Sequence, residues 1–428
     1  MRKNDIVTAD VDGMSNLGYG VARVGGKATF INGAADGDKA EIRIIKTAQS
    51  YNAARLEKLI EPSPHRCDPS CPAFPRCGGC SFRHITYEHE KELKRGFVES
   101  AMKKNHIDIE VAEVVSDGNI SGWRNKVEYP VGGGGFGCYA RHTHTVVNLP
   151  DGGCAIQDRA FDPIVSYISG VLDRIRGLRH IYLRRAAGTG EIMVCFVTLS
   201  SAVIPGSVVH DLTGRFPDVV SVARNINDSD GNVILGTDTE ILAGKETIRD
   251  VLCGVSLDMS PESFFQVNHG MAGLLYGRAA ELLDLKAGER LLDLFCGIGS
   301  IGLCAAAKTP GIFLTGVEIS GAAAANAAAN ARLNGIDAEF ICGDANMIGD
   351  IGADAMVIDP PRKGVGAELI DLLCEKGPEK IVYISCNPET LARDLAGLGK
   401  AYSWERAETF DLFPRTGHTE SAARLFRR

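Results

Sequence analysis

The sequence lacks any long apolar segment. Its 428 residues contain no stretch near the ~20 apolar residues that a membrane-spanning helix requires, and the opening residues MRKNDIVTAD lack the apolar core of a secretory signal. Internal repeats are absent as well, so no array of repeated units is expected. We therefore expect a cytoplasmic protein of two or three domains without a membrane-spanning segment.

An overall excess of positive charge is also missing. The net charge is -8, which by itself argues against a nucleic-acid partner. The distribution is uneven, because residues 1–107 carry 17 Lys/Arg against 13 Asp/Glu and the remainder carries 29 against 41. A mildly basic N-terminal part followed by an acidic remainder permits RNA binding. A charge asymmetry without any function explains the same numbers equally well.

The chain has 13 cysteines, and three of them form a spaced cluster. Without a secretory signal we expect a reducing compartment, where grouped cysteines serve metals or catalysis more often than disulfides. Cys71, Cys77 and Cys80 follow the spacing Cys-x5-Cys-x2-Cys in a loop rich in Pro and Gly. With a fourth thiol they fit a zinc ion or an iron–sulfur cluster. Three cysteines compete as that fourth ligand: Cys67, Cys138 and Cys154. The Cys-x3-Cys-x2-Cys spacing of radical enzymes is absent.

The patterns divide the chain into three predicted domains. Residues 1–60 consist of short apolar runs between Gly turns, which favours a five-stranded β-barrel of the kind that often binds single-stranded nucleic acid. Residues 61–255 combine the Cys-rich loop, a charged helical segment and strand-like runs, typical of a mixed α+β domain. Residues 256–428 alternate strands and helices, which predicts a doubly wound, mostly parallel α/β sheet.

The third domain begins with a glycine motif that predicts a cofactor site. Gly297, Gly299 and Gly302 form G-x-G-x-x-G between an apolar strand and a helix, where glycines let the backbone approach a ligand closely. Glu318 ends the next strand and is placed for ribose hydroxyls, and Asp344 follows the third strand on the adenine side. The loop formed by this motif does not require a bound pyrophosphate, so the sequence favours S-adenosylmethionine over NAD as the cofactor. The alternative is a glycine turn that binds no ligand.

Three further residues predict the reaction. Asp359 opens an Asp-Pro-Pro-Arg loop at the end of the fourth strand, and Cys386 ends the fifth strand, so both face the cofactor crevice. An Asp-Pro-Pro loop alone fits methylation of a base amino group, but that reaction needs no thiol. Methylation of pyrimidine carbon 5 does need one, because addition at carbon 6 makes carbon 5 nucleophilic. Glu420 is the candidate base for the carbon-5 proton.

Together these motifs resemble the bacterial RNA uridine-5-methyltransferases, specifically the branch that acts on 23S rRNA. The resemblance covers nearly the whole chain. The segment GYGVARVGGKATFINGAADGD resembles a TRAM domain, an OB-like RNA-binding barrel. CPAFPRCGGC followed by GGCAIQ resembles a [4Fe–4S] signature, which implies four ligands and leaves Cys67 spare: Cys71, Cys77, Cys80 and Cys154.

The resemblance also implies roles for the residues of the catalytic domain. Cys386 matches the nucleophile and Glu420 the proton acceptor. The implied contacts to S-adenosylmethionine, together with the acid beside the methyl donor, fall on six residues: Gln266, Phe295, Ser300, Glu318, Asp344 and Asp359. Departures are minor, since Ser300 and Phe295 replace residues that vary in the family, and no reacting group is lost.

The family implies a fold, an activity and a partner. We expect an N-terminal barrel, a middle domain with an iron–sulfur loop and a Rossmann-like catalytic domain. The expected product is 5-methyluridine in 23S rRNA, formed on a uridine flipped out of its stack by a monomeric cytoplasmic enzyme. Other readings are the same chemistry on tRNA, cytosine-5 methylation, and an RNA-binding factor without catalysis. The tRNA branch usually lacks the barrel and the cluster, so their presence favours rRNA.

Overall fold

The computed structural model describes residues 1–349 and 352–428. The first part of the chain forms a six-stranded sheet with the order β1-β5-β6-β4-β3-β2. Side chains alternate between inside and outside, and Ile31, Ile42 and Ile44 are fully buried on the inner face. The sequence predicted five strands; the sixth, β2, is only two residues long. The strands are β1 (Ile6–Asp10), β2 (Gly13–Met14), β3 (Tyr19–Val24), β4 (Lys27–Asn32), β5 (Lys39–Thr47) and β6 (Tyr51–Glu61).

The Cys-rich segment after β6 has no helix or strand and leads into a long helix, α1 (Tyr87–Lys104). This helix agrees with the charged segment expected at residues 87–105. It has acidic residues in its first turn and lysines in its last, which suits the helix dipole. Val98, Ala101 and Met102 are buried against the C-terminal sheet, so α1 connects the Cys-rich segment with the last part of the chain.

The middle of the chain forms a seven-stranded mixed sheet with the order β10-β9-β8-β11-β12-β13-β14. β12 is buried along its whole length, which explains why the run IMVCFVT shows no polar alternation. Helices pack on one side of this sheet. The elements are β8 (Lys126–Gly132), β9 (Gly135–Tyr139), β10 (Val146–Asn148), α2 (Phe161–Val171), β11 (Leu178–Arg185), β12 (Ile192–Thr198), α3 (Gly206–Arg215), β13 (Val219–Ile226) and β14 (Asp238–Gly244), with a 3-10 turn at Leu172–Arg174.

A separate hairpin, β15 (Ile248–Leu252) and β16 (Val255–Met259), follows the middle sheet. Side-chain amides of Asn330 and Asn334 accept hydrogen bonds from backbone amides of β16 at 2.8 Å, so the hairpin is fastened to the C-terminal part of the chain. The boundary predicted at residue 255 falls inside this hairpin, at the start of its second strand. The three predicted domain ranges stay predictions.

The C-terminal part forms an eight-stranded sheet with the order β19-β18-β17-β20-β21-β23-β22-β7. The first five of these strands are parallel, as the sequence predicted, and β23 closes antiparallel on β21. The elements are β7 (Glu110–Val111), α4 (His269–Leu283), β17 (Arg290–Leu294), α5 (Ser300–Lys308), β18 (Phe313–Glu318), α6 (Gly321–Leu333), β19 (Ala338–Cys342), β20 (Ala355–Ile358), α7 (Ala367–Lys376), β21 (Lys380–Ser385), α8 (Pro388–Leu398), β22 (Tyr402–Phe410) and β23 (Glu420–Arg427), with a 3-10 turn at Ala345–Met347.

The helices of residues 1–349 and 352–428 include none with the length and apolar character needed to cross a membrane.

Candidate active site and cysteine-lined cavity

The glycine motif forms a tight turn between β17 and α5. Gly297 and Gly299 have φ values of 55° and 80°, a left-handed backbone that glycine adopts without cost. Phe295 is also left-handed, at φ 62°, and begins the turn. The backbone amide of Gly297 donates to Glu318 Oε2 at 3.1 Å. The turn therefore presents bare backbone at the carboxyl end of the sheet, where open α/β sheets bind ligands.

Gly302 is required for packing of the same helix. A Cβ at this position would lie 2.7 Å from Leu314 Cδ1 and 2.8 Å from Asp293 Oδ2. The Gly302 amide donates to that carboxylate oxygen at 2.8 Å. Asp293 is fully buried in β17, and burial raises its pKa to about 8, with smaller contributions from nearby carboxylates. The Asp293 carboxyl group thus holds the start of α5 in place through its hydrogen bond with the Gly302 amide.

The two carboxylates predicted to bind the adenosyl group lie at neighbouring strand ends. Glu318 is half-buried, and its Oε1 accepts a hydrogen bond from the Ser320 amide at 2.8 Å. Asp344 is exposed after β19 and accepts hydrogen bonds of 2.9 Å from the backbone and side-chain amides of Asn346, which lower its pKa. The Gly343 amide donates to the Glu318 carbonyl at 2.9 Å and joins the two strand ends.

Gln266 and Ser300 are the two remaining residues predicted to contact the cofactor. Gln266 is buried in the segment between β16 and α4, where its carbonyl accepts a hydrogen bond from the Asn125 side chain at 3.4 Å. Ser300 Oγ lies 3.4 Å from the hydroxyl of Tyr276 on α4. Tyr276 was not predicted. Burial raises the pKa of its hydroxyl, and the carboxylates of Asp359 and Glu420 act in the same direction, so all three groups lie in the same part of the site. Nothing in its helical context distinguishes it from a core residue.

Cys386 lies between the end of β21 and the start of α8. Asn387 caps α8 by accepting a hydrogen bond from the Glu389 amide at 3.2 Å, and Ser385 Oγ accepts one from the Asn387 amide at 3.1 Å. These bonds hold the half-buried thiol in a fixed turn. Burial, with smaller contributions from the carboxylates of Glu420 and Asp359, raises the pKa of Cys386 to about 11.

Glu420 stands beside Cys386 across a strand pair. In the antiparallel pairing of β21 with β23, Ser385 is opposite Ser421, so the next residues towards the crevice are Cys386 and Glu420. Glu420 is only 3% exposed. Burial raises the pKa of its carboxyl group, with a further contribution from Asp359. Among the described residues, Glu420 Oε2 has no hydrogen-bond partner, which leaves it available to a ligand.

The Asp-Pro-Pro-Arg loop completes this corner. Asp359 follows β20, is partly buried, and burial raises its pKa to about 7. The Arg362 carbonyl accepts hydrogen bonds from Asn387 Nδ2 at 3.0 Å and Thr390 Oγ1 at 3.3 Å, so the loop is tied to the start of α8. The exposed Arg362 guanidinium lowers the pKa of both Cys386 and Glu420. In the sequence, Arg362 is distinguished only as part of the Asp-Pro-Pro-Arg motif, which does not predict a role for its side chain.

A second cavity, of about 740 Å³, lies where the first sheet, the Cys-rich segment and the middle sheet meet. The four predicted cluster ligands and Cys138 line it. Arg83 Nε donates to Cys80 Sγ at 3.4 Å, and the guanidinium also interacts with the thiols of Cys71 and Cys154. Cys67 is placed differently: its thiol donates to the Ile85 carbonyl at 2.9 Å.

These thiols do not form a site for a single metal ion. Within residues 1–349 and 352–428, no group of three or more His, Cys, Asp or Glu side chains has that arrangement. The neighbouring Cys138 thiol lowers the Cys77 pKa to about 6, and the Gly79 amide donates to Cys77 Sγ at 3.4 Å. A [4Fe–4S] group attaches each thiolate to its own iron, so its ligands need to surround a cavity and need not converge on one point. The residues fit that requirement, but the predicted cluster itself is not shown by the structure.

Two family models and several known proteins are similar to this chain. The family model described as tRNA (Uracil-5-)-methyltransferase matches residues 254–428, and the TRAM domain model matches residues 2–56. A protein of Clostridium tetani named as an uncharacterized RNA methyltransferase is 35% identical over 98% of this chain and 96% of its own length. One from Bacillus cereus with the same description is 35% identical over 99% and 98%.

A solved structure is similar along the whole molecule. The crystal structure of Pyrococcus abyssi tRNA (uracil-54, C5)-methyltransferase in complex with S-adenosyl-L-homocysteine superposes with a TM-score of 0.82. It is 28% identical in sequence, and the alignment covers 98% of this chain and 99% of that one. The expected order of a TRAM barrel followed by a methyltransferase fold is therefore confirmed. The chain belongs to the S-adenosylmethionine-dependent RNA uracil-5-methyltransferase family.

Proposed function

We propose that this protein methylates carbon 5 of a uridine in folded RNA, with 23S rRNA as the substrate. The observation that carries the proposal is the pairing of β21 with β23, because it brings a thiol and an unpartnered carboxyl group side by side at the cofactor edge of the sheet. A methyltransferase for amino groups needs neither residue. The uracil ring needs both, one for addition and one for removal of a proton.

The residues around the glycine turn fit S-adenosylmethionine. Backbone without side chains at Gly297 and Gly299 allows close approach, and the ends of β18 and β19 supply Glu318 and Asp344 for ribose and adenine. Four more residues are proposed to contact the cofactor or lie beside its methyl group: Gln266, Phe295, Ser300 and Asp359. When bound, the cofactor supplies the methyl group as an electrophile.

Cys386 is proposed to attack carbon 6 of the uracil ring. The thiol gives its proton to water, its sulfur forms a bond to carbon 6, and the electron pair of the C5–C6 double bond moves to give an enolate whose carbon 5 is nucleophilic. After carbon 5 has gained the methyl group, Glu420 takes the proton from that carbon. The electron pair of the C–H bond restores the double bond, and the bond between carbon 6 and the sulfur breaks.

Charges at the site decide how these groups become reactive. In the free protein the thiol and the Glu420 carboxyl group both favour their protonated forms, because burial and Asp359 raise their pKa values. Arg362 opposes this effect at both residues. Bound RNA excludes water around Arg362 and strengthens its attraction for the thiolate and the carboxylate. Arg362 is therefore proposed to position and activate both reacting groups.

The first and middle sheets are proposed to bind the RNA around the target uridine. Most contacts would go to phosphates and shape, and the uridine is flipped out because its ring carbons are unreachable in a stack. Arg124, Arg141, His142 and His180 line the same cavity as the cysteines, and His418, two residues before Glu420, lines it as well. The cavity therefore reaches the segment that carries Glu420, and its arginines supply positive charge in an otherwise acidic protein.

A second substrate, tRNA, is favoured by one observation. The Pyrococcus abyssi enzyme, named for uracil-54 of tRNA, aligns with 98% of this chain, so the alignment includes most of residues 2–56. A barrel at the N-terminus therefore does not separate rRNA enzymes from tRNA enzymes, contrary to the expectation from the sequence. The same alignment includes most of the Cys-rich segment, so neither feature separates the two substrates, and the proposal of rRNA rests on the resemblance of the sequence motifs.

The cysteines are proposed to hold a [4Fe–4S] cluster through Cys71, Cys77, Cys80 and Cys154. Four thiolates leave no open position on the irons, so the cluster would supply a structural crosslink between the Cys-rich segment and the middle sheet. Arg83 offers positive charge to several of these thiolates. A monomeric state and a cytoplasmic location complete the proposal.

The test is release of tritium from RNA labelled at uridine carbon 5, measured with S-adenosylmethionine and the cluster-loaded protein. Release from 23S rRNA transcripts and not from tRNA supports the full proposal, and fragments of the rRNA locate the uridine. Release from tRNA alone keeps the chemistry and replaces the substrate. Methylation without tritium release, or release by the Cys386→Ala variant, overturns the proposed chemistry.

A further inference from the structure

Two cysteines outside the active site and the cysteine-lined cavity are in contact. Cys253 lies in the turn of the β15–β16 hairpin, and Cys304 lies on α5, the helix that begins at the glycine turn. Each thiol changes the pKa of the other, so the two side chains lie close together. Cys304 Sγ is 3.6 Å from the carbonyl oxygen of Leu252, the residue before Cys253, and Cys253 Sγ is 3.6 Å from the carbonyl oxygen of Gly273. The pair therefore joins a hairpin turn to the cofactor helix.

The backbone at Cys253 is unusual. Cys253 and Gly254 have φ values of 51° and 79°, so both central residues of the hairpin turn are left-handed. Glycine, Asn and Asp adopt this conformation readily, whereas a cysteine has a Cβ that opposes it. The turn keeps a strained residue whose side chain lies near a second thiol, and such strain is commonly retained where a side chain has a function.

The two thiols differ in exposure and in charge. Cys253 is exposed and Cys304 is buried. The neighbouring Cys304 thiol lowers the pKa of Cys253 to about 7, and the positive charges of His269 and Lys308 act in the same direction. The pKa of Cys304 is raised by Cys253 and by burial. One thiol is thus accessible and easily ionised, and the other is held next to it and shielded from solvent.

We propose that Cys253 and Cys304 form a reversible dithiol–disulfide site that reacts with low-molecular-weight disulfides such as oxidised glutathione. The Cys253 thiolate attacks one sulfur of the disulfide, forms a mixed disulfide and releases one thiolate. Loss of its negative charge removes the interaction that keeps Cys304 protonated. Cys304 then gives its proton to water, attacks the Cys253 sulfur and releases the second thiolate, so two protein thiols are oxidised and one small disulfide is reduced.

The bond would crosslink the hairpin to the helix that carries Ser300. Closing it requires the two sulfurs to approach to about 2.0 Å, which a movement of the two-residue turn towards α5 would allow. The crosslink would hold α5 against β15 and β16, whose buried side chains already pack in one cluster with those of α5. Redox state would then be coupled to the rigidity of the cofactor turn, independently of which RNA is methylated.

The experiment uses the full-length, cluster-loaded protein, equilibrated anaerobically with mixtures of oxidised and reduced glutathione. Thiols are trapped with acid and an alkylating agent, and digested peptides are analysed by mass spectrometry. We expect a peptide pair joined between Cys253 and Cys304, lighter by two hydrogen atoms and restored by reduction. Cys304→Ser should stop at a glutathione adduct on Cys253, and Cys253→Ser should leave Cys304 unmodified.

Cys342 provides the matched control, because it is also exposed and lies in the same sheet domain. It should form at most a glutathione adduct in all three proteins. A stable glutathione adduct on Cys253 in the unmutated protein would overturn the proposal, since the second thiol then fails to react. Oxidation of Cys342 under conditions that leave both members of the pair reduced would overturn it as well.

Discussion

Lys94 on α1 donates a hydrogen bond of 2.6 Å to Asp411, and both side chains are fully buried. The same ammonium group donates to Glu90 at 2.8 Å and to the Phe413 carbonyl at 3.1 Å. The Arg415 amide completes the network by donating to Glu90 at 2.7 Å. Through these bonds α1 fixes the chain that runs from the end of β22 to Glu420, so the proposed base is positioned from outside its own sheet.

Replacement of Lys94 should damage both stability and activity. In Lys94→Met, Asp411 loses its cation and Glu90 keeps only the Arg415 guanidinium at 3.5 Å, so we expect about 3 kcal/mol of destabilisation because a buried charge is left uncompensated. Unfolding by urea measures this change. Lys103→Met is the matched control, since Lys103 is exposed on the last turn of the same helix. An unchanged urea midpoint in Lys94→Met would contradict a structural role for the network.

Glu420→Gln should trap the covalent intermediate. The amide cannot take the carbon-5 proton, so the bond between Cys386 and the methylated uridine should persist. The measurement is a protein–RNA band that survives a denaturing gel, and it should disappear in the double variant with Cys386→Ala. Glu405→Gln, an exposed position on β22, should form no such band. Full methylation by Glu420→Gln without a band would remove Glu420 from the proposed role.

Two substitutions should shift the reactivity of Cys386 in opposite directions. Asp359 raises the pKa of the thiol and Arg362 lowers it. Above about pH 8, where Asp359 is ionised, Asp359→Asn should lower the pKa and speed alkylation by iodoacetamide, and Arg362→Gln should slow it. We expect changes of roughly threefold, equivalent to about half a pKa unit. Peptide mass spectrometry measures the rates. A shift of both variants in the same direction would show that altered accessibility dominates.

Asp293 should make the stability of the C-terminal sheet depend on pH. The pKa of Asp293 is 3.8 in the unfolded chain and about 8 in the folded protein, so the folded protein binds the carboxyl proton more tightly than the unfolded chain does. The contribution of Asp293 to the free energy of unfolding is fully present below about pH 4. It is lost as pH rises towards 8, at about 1.4 kcal/mol per pH unit.

Asp293→Asn tests this dependence. The amide oxygen still accepts the hydrogen bond from Gly302, and the side chain does not ionise, so the variant should gain stability relative to the unmutated protein as pH rises from about 5 to about 8. Urea-dependent hydrogen exchange in β17 measures the difference. Parallel pH curves for the two proteins would mean that the buried carboxyl group does not titrate in this window.

The cysteine-lined cavity offers a test with matched variants. If Cys154 is a cluster ligand and Cys138 is a neighbour, Cys154→Ser should lose most of the iron and sulfide in an anaerobic preparation, and Cys138→Ser should retain both. Cys67→Ser should also retain them, because Cys67 does not line the cavity. Loss of iron and sulfide in Cys138→Ser, with both retained in Cys154→Ser, would mean that Cys138 is the ligand and Cys154 the neighbour. A colourless protein with one zinc would exclude the cluster.

The sequence alone predicted the fold class and most of the proposed active site. The glycine motif and the parallel strands follow from local periodicity and from positions where only glycine fits, and Gly297, Gly299 and Gly302 occupy such positions. Cys386 and Asp359 could be placed because parallel strands end at one edge of a sheet. Periodicity did not reveal the two-residue strand β2 or the hairpin across residue 255, since short elements carry too little pattern.

Only the tertiary structure decided which side chains meet. The pairing of β21 with β23 set Cys386 beside Glu420, although 34 residues of chain separate them in the sequence. The burial of Tyr276 beside two carboxyl groups, the charge of Arg362 at the site and the contact of Cys253 with Cys304 have no local signature. Sequence patterns report the conformation that neighbouring residues share, whereas pKa values and reactivity depend on burial and charge, which distant segments create when they pack together.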